Sequence, residues 1–203
     1  MTERETSHSL YLSRLAPVTG IQPLTEKEKL LDIKLADGDL DYTPGQFVEV
    51  SLFGYGEAPI SISSSPTMPG SFQLCVRNVG SVTGALHRSE PGTEIGIRGP
   101  FGRGFPVEQM RNRDILFVAG GLGLAPLRSL IYYTFDHRRE FGHLTVLIGA
   151  RNPGELLFKE EFGHWARRYD ADVHVTVDRA DAGWSGPVGV ITTLFPRISI
   201  DPK

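Results

Sequence analysis

The sequence predicts two units in tandem, an antiparallel β barrel followed by a parallel-sheet α/β domain. Three observations carry this expectation. From about residue 9 to 105, short stretches of alternating apolar and polar residues are separated by turn residues such as Gly38, Pro44, Gly45, Pro69, Gly70 and Gly92, the grammar of an antiparallel barrel or sandwich. After Pro106, strand-like and helix-like segments alternate, which implies right-handed crossovers and a parallel sheet. Early in the second stretch stands ILFVAGGLGLAP at 115–126, an apolar strand, a tight glycine turn and a helix start. The boundary is expected near residues 105–112, dividing the chain into 1–108 and 109–203.

In the first unit, SLYLSRLAPV (9–18), KLLDIKLA (29–36), QFVEVSLF (46–53), SFQLCVR (71–77) and TEIGIRG (93–99) each read as a strand. APISI (58–62) follows the third of them. TGALHRSE (83–90) is the one helix-like interruption. In the second unit, Ile115 to Ala119 are wholly apolar, as expected of a strand covered on both faces. Leu127, Leu130, Ile131 and Thr134 then recur at helical spacing. LTVLIGA (144–150) is a second strand, ELLFKEEFGHWARRY (155–169) a second helix and VHVTV (173–177) a third strand. His164 and Trp165 are expected to pack that helix on the sheet, and Lys159, Glu160 and Glu161 to form its solvated face. Phe101 and Phe105 are expected to pack at the junction. The carboxyl ends of the strands, where ligands of such sheets lie, fall at Gly120, Gly149 and Asp178.

Bulk properties narrow the function. A hydrophobic content of 40% is that of a folded globular chain. A net charge of −3 gives no reason to expect nucleic acid or an anionic membrane as partner. No apolar run approaches the roughly 18 residues of a membrane span, and MTERETSHSL lacks the basic and apolar regions of a secretory signal. A soluble, cytoplasmic protein is expected. Cys75 is the only cysteine and the six histidines are scattered, so neither a disulfide nor a metal site is expected.

The glycine-rich segments carry the chemistry. Gly120, Gly121 and Gly123 permit a sharp turn and leave no side chain between backbone and ligand. Pro126 suits a first helical turn, and the free N–H groups there can receive an anion. Such a turn can equally do no more than link strand to helix. GSVTGAL (80–86) is a second glycine turn entering a helix, in which Gly80, Val82 and Thr83 would offer N–H groups, and Thr83 a hydroxyl, to a phosphate. The plainer alternative is a helix capped by Ser81 or Thr83. Arg77 is either a compensating cation or a solvated strand residue. Arg151 and Arg179 each follow a parallel strand, and Asp178 stands beside Arg179.

Six segments stand in order: PGQF (44–47), APISI (58–62), GSVTGAL (80–86), GPFG (99–102), GGLGLAP (120–126) and GAR (149–151). Together they resemble the ferredoxin–NADP⁺ reductase superfamily from about residue 10 onward. The wording GEAPISISSSP, FVAGGLGLAPLRSLI, LIGARNPGELLFKEEF and TVDRADAGWSGPVGVITTLFP is similar to its gamma (diaphorase) branch, from cytoplasmic NAD(P)-linked nickel–iron hydrogenases of the sulfhydrogenase type. The resemblance implies an FAD-binding barrel and an NAD(P)-binding domain exchanging a hydride, with no general acid or nucleophile. Pro59, Ile60, Ser61 and Ile62 would carry the isoalloxazine, with Ser61 as the catalytic hydroxyl near flavin N5; Ser61 otherwise belongs to a polar, serine-rich turn. Gly80, Val82 and Thr83, with Arg77, would meet the FAD pyrophosphate. Gly120, Gly121, Gly123, Leu124, Ala125 and Pro126 would receive the nicotinamide cofactor, and Gly149, Ala150, Arg151, Asp178 and Arg179 its adenosine end. There Arg151 or Arg179 would grip a 2′-phosphate, or Asp178 accept from a free 2′-hydroxyl, so NAD and NADP both remain open. This chain departs from the usual Arg-x-Tyr-Ser pattern, with Ala58 and Ile60 in the Arg and Tyr positions. The family's CGPP-type turn and the branch's cysteine-rich [2Fe–2S] segment have no counterpart before IDPK, so the chain reads as C-terminally truncated. The implied partners are iron–sulfur subunits of a hydrogenase-like complex. Dihydroorotate dehydrogenase, sulfite reductase or a non-catalytic nucleotide-sensing role are the alternatives.

Overall fold

The computed structural model describes residues 11–199. The first half runs β1 (Arg14–Pro23), β2 (Glu28–Ile33), β3 (Phe47–Leu52), β4 (Gly56–Ser61), β5 (Phe72–Arg77), α1 (Ser81–Arg88) and β6 (Glu94–Phe101). All strand pairs are antiparallel, in the order β4-β3-β6-β1-β2-β5. A single bridge, Ile62 to Leu74, draws the two edge strands together and closes the sheet toward a barrel. The interior is filled by inward positions such as Val18, Leu31, Ile33, Val48, Leu74 and Ile97.

Two of the expected elements differ. The first strand begins at Arg14 and extends to Pro23, because its pairing with β6 and then β2 keeps its backbone groups satisfied well past Val18. APISI does not merely follow a strand: Ala58 to Ser61 belong to β4, paired with β3 across a tight turn at residues 53–55. Pro59 obscures this in the sequence, but β4 is an edge strand, where a missing N–H is tolerated.

The second half holds a short helix α2 (Val107–Met110), then β7 (Ile115–Gly120), α3 (Leu124–Asp136), β8 (Leu144–Ala150), α4 (Lys159–Tyr169) and β9 (Ala171–Val177). The three strands are parallel in the order β7-β8-β9. β8, the central strand, is buried at every position, as its mostly apolar sequence, broken only by Thr145, suits. The second helix starts four residues later than its sequence pattern suggests. Pro153–Glu155 forms a 3-10 turn and Phe158 has φ 55, a left-handed conformation that interrupts α-helical hydrogen bonding. Trp165 packs the helix on the sheet as expected, fully buried, but His164 is exposed and meets the Tyr169 ring edge-on. Ile191–Arg197, beyond β9, is 3-10 helix.

The halves share a core. β2 and β5 alternate their side chains as strands must, so Leu31 and Leu74 point into the barrel while the cross-strand pair Leu30 and Cys75 points outward. Leu30 and Cys75 join the apolar cluster of Phe117, Leu124, Ile131 and Trp165 in the second half. Phe105 also packs against that cluster, with its ring against Gly45, where a Cβ would stand 2.7 Å from the ring. The turn at Gly45 therefore needs glycine twice over, for this contact and for its φ of 96.

Candidate active site at the junction of the two sheets

Two adjoining hollows lie where the sheets meet. The first, about 500 Å³, is lined by Ala58–Ser61 of β4, Cys75 and Arg77 of β5, Val79 and Thr83 at the start of α1, and Leu122, Gly123, Ala125 and Pro126 of the glycine turn and α3. The second, about 420 Å³, lies at the carboxyl ends of the parallel strands. Gly120, Gly121, Gly149, Ala150, Arg151 and Asp178 line it, with Glu155, Val190 and Ile191. Arg77 and Leu122 belong to both linings. Both volumes fall within the range of about 300–1,000 Å³ usual for small-molecule sites.

The glycine turn is shaped for close approach. Gly121 has φ 52, and a Cβ added at Gly120, Gly121 or Gly123 would meet no protein atom within 4 Å. Nothing in the packing of the protein therefore demands glycine at 120 or 123; the open side faces the hollows. A 3-10 turn over Gly121–Gly123 leads directly into α3, and the Leu124 N–H bonds back to the carbonyls of Gly121 and Leu122. Leu124 itself is buried in the core.

At the start of α1, Thr83 acts as the cap that the plainer alternative offered. The Thr83 hydroxyl accepts the N–H groups of Val79 and Gly80 at 3.0 and 2.9 Å, so it caps the turn and occupies the Gly80 N–H. The N–H groups of Ser81, Val82 and Thr83 precede the first intrahelical acceptor pairing, Gly84 N–H to Gly80 oxygen at 2.7 Å, so they are donors without an intrahelical acceptor. The other end of the helix is anchored by His87 Nε2 on the Val76 oxygen at 2.8 Å and Lys29 Nζ on the His87 oxygen at 2.6 Å.

Of the expected site residues, Pro59, Ile60, Ser61, Arg77, Thr83, Gly123, Ala125 and Pro126 meet around the first hollow, and Gly120, Gly121, Gly149, Ala150, Arg151 and Asp178 around the second. Ile62 and Val82 turn their side chains into the barrel core, so they and Leu124 can offer only backbone. Gly80 and Arg179 line neither hollow; Arg179 is exposed, its N–H bonded to the Arg151 oxygen at 2.9 Å. Leu122, Glu155 and Cys75 were not singled out in the sequence. Cys75 was legible, because its alternation with Leu74 places it on the opposite face of β5. Burial pushes its thiol up to about 12, helped by the nearby Glu28 carboxylate.

Comparison with known proteins bears on the identity. Residues 16–105 match the oxidoreductase FAD-binding domain family, and residues 117–200 the oxidoreductase NAD-binding domain family. The chain is 38% identical to sulfhydrogenase 1 subunit gamma of Pyrococcus furiosus over 95% of its own length and 68% of the relative's. It is 40% identical to sulfhydrogenase 2 subunit gamma of the same organism, over 91% and 69%. The chain belongs to the ferredoxin–NADP reductase-like family, in the branch of the sulfhydrogenase gamma subunits. A probable electron transfer subunit of dihydroorotate dehydrogenase B from Methanothermobacter thermautotrophicus is also 40% identical, over 57% of this chain and 41% of that protein. Among solved structures, the NADH-dependent reduced ferredoxin–NADP oxidoreductase superposes with TM-score 0.72 at 25% identity, covering 90% of this chain and 62% of that one.

As a member of this reductase-like family, the chain is an FAD- and NAD(P)-binding oxidoreductase, an electron-transfer flavoprotein. The residues fit both groups. The first hollow offers a flat wall of strand backbone, small residues and the Ser61 hydroxyl, suited to a planar ring. Beside it stand helix N–H donors and the Arg77 guanidinium, suited to phosphate. The second hollow combines glycines with Arg151 for a nucleotide, and Asp178 and Glu155 as acceptors for hydroxyls. No helix among the described residues is long and apolar enough to cross a membrane.

Proposed function

We propose that this chain is the diaphorase subunit of a cytoplasmic, hydrogenase-type complex: it takes a hydride from NAD(P)H onto FAD and passes electrons singly to iron–sulfur subunits. The observation that carries the reading is the wall shared by the two hollows, Arg77 and Leu122, which makes their ligands neighbours. Bound FAD supplies the change from two-electron to one-electron chemistry. The barrel half, residues 1–108, is read as the flavin-binding domain and residues 109–203 as the NAD(P)-binding domain.

The protein's own contribution is positioning. Pro59 and Ile60 give the ring an edge-strand wall, and Ser61 places the catalytic hydroxyl there. The first turn of α1 and Arg77 receive the pyrophosphate of FAD. Gly120, Gly121 and Gly123 let the nicotinamide approach without a side chain between the rings, while Ala125 and Pro126 close the far wall. Gly149 and Ala150 admit the adenosine half, with Arg151 and Asp178 competing over the 2′ position. Ala58 and Ile60 leave the flavin without the arginine and phenol of the usual pattern, so Arg77 is the remaining cation at that wall.

Anaerobic mixing of the FAD-loaded protein with NADH or NADPH tests the reading: visible flavin absorbance should bleach within seconds. Binding without bleaching would favour a nucleotide-sensing module. Co-purification from the source cell identifies the partner, and recovery of a dihydroorotate dehydrogenase catalytic subunit in place of hydrogenase subunits would reassign it, as the Methanothermobacter relative suggests.

A further inference from the structure

Arg77 is the one charged residue in the walls of both hollows, and its guanidinium is held from behind. Glu28 lies directly opposite it in the antiparallel β2–β5 ladder, on the same face as a cross-strand pair must. The Glu28 side chain is 2% exposed. Its Oε1 accepts the Arg77 Nε–H and its Oε2 accepts the Thr25 hydroxyl. Thr25 is fixed in turn: its Oγ1 accepts the N–H groups of Lys27 and Glu28 at 3.0 and 3.1 Å. Both carboxylate oxygens are thus engaged. Arg77 is one third exposed, with its Nη groups bonded to no protein atom among the described residues.

This arrangement is costly unless it serves the arginine. A carboxylate taken fully out of water loses more solvation than one surface-facing partner returns. It also lies behind a wall proposed to receive phosphates, where a bare negative charge would weaken anion binding. Bonding through Nε alone solves both problems: the charge is paired, and the fork of Nη donors remains free for a phosphate.

We infer that Glu28 is a positioning residue, which with Thr25 fixes the Arg77 side chain at Nε so that its Nη fork serves the pyrophosphates of the two nucleotides in the adjoining hollows. The inference rests on the reading that those hollows take FAD and NAD(P)H, and adds what aims the shared cation.

The sign of one substitution separates this role from a merely structural one. Dissociation constants are measured for FAD with the apoprotein, by quenching of flavin fluorescence, and for NADP⁺ by calorimetry. Arg77→Gln should weaken both, by about tenfold for loss of a charge-assisted contact. Glu28→Gln should weaken both by about fivefold, although it removes a negative charge from beside an anion site. The double variant should match Arg77→Gln alone, since the two residues act as a unit. Binding by Glu28→Gln as tight as, or tighter than, that of the unaltered protein would overturn the positioning role while leaving Arg77 in the site. Unchanged binding by Arg77→Gln would sink the placement of phosphates at this wall together with the inference. Glu28→Asp keeps the test decisive if Glu28→Gln does not fold. It retains the charge but withdraws the carboxylate by one methylene, so about threefold weaker binding is expected, and unaltered binding would again overturn the role.

Discussion

Arg128 and Glu161 meet in a two-pronged ion pair, Nε to Oε2 at 2.9 Å and Nη2 to Oε1 at 2.8 Å. The remaining donor, Nη1, reaches across to the barrel, bonding the Ser63 oxygen at 2.9 Å and Gln73 Oε1 at 2.8 Å. The guanidinium also lies over the rings of Tyr132 and Phe158, 4.8 and 4.6 Å from their centroids. One buried side chain of α3 therefore ties α4 and the barrel together. Glu161, whose neighbours in sequence form a solvated face, is a structural partner rather than part of that face.

Removing one partner of a buried, multiply bonded charge leaves the other uncompensated, which costs about 3–5 kcal/mol. Arg128→Leu should lower unfolding stability by about 3 kcal/mol, read from denaturant melts. It should also slow flavin reduction by bound NAD(P)H more than it weakens FAD binding, because it loosens the separation of the rings rather than either cradle.

Gly120 separates packing from binding. A Cβ there meets no protein atom within 4 Å and its φ of −110 suits any residue. Gly120→Val should leave the melting temperature nearly unchanged and raise KM for NAD(P)H about tenfold, the equivalent of about 1.4 kcal/mol. A fall in melting temperature without a change in KM would mean that the open side of the turn faces no ligand.

Thr83 does two jobs. Thr83→Ala removes the acceptor for the Val79 and Gly80 N–H groups and should cost about 1 kcal/mol, the usual value of a helix cap. It should also speed loss of FAD on dialysis. Thr83→Ser, which keeps the hydroxyl, should restore both.

The two arginines beyond the parallel strands should not be equivalent. Arg151 lines the second hollow and Arg179 does not. Arg151→Ala should raise KM for NADPH about tenfold, and Arg179→Ala less than about threefold, for loss of a direct against an indirect phosphate contact. An equal effect on NADH would show that Arg151 serves the pyrophosphate rather than the 2′-phosphate.

Cys75 should be a silent thiol. It is 5% exposed, and a pKa raised to about 12 keeps it protonated throughout the neutral range, since a raised thiol pKa favours the unreactive neutral form. Alkylation by iodoacetamide at about pH 8 should be slow until the protein unfolds, and should quicken as pH rises. Mass spectrometry of native and denatured samples checks this.

Much of this molecule is written in local patterns. Alternation and turn residues mark five of the six barrel strands, and the run ILFVAGGLGLAP announces strand, turn and helix because backbone freedom and apolar content are properties of neighbouring residues. Ordered glycine motifs point to the nucleotide hollows for the same reason. Pro59 disguised β4, because only pairing with β3 reveals that its missing N–H faces no partner. Phe158 displaced the start of α4 through a left-handed backbone that nothing in the local sequence announces. The pairing of Glu28 with Arg77, the reach of Arg128 from α3 to Ser63 and Gln73, and the wall that Arg77 and Leu122 share depend on residues 45 to 65 positions apart, brought together by sheet register and docking of the two halves. Local sequence sets which conformations are cheap; which distant charges face each other follows only once the strands have paired and the apolar faces have been buried.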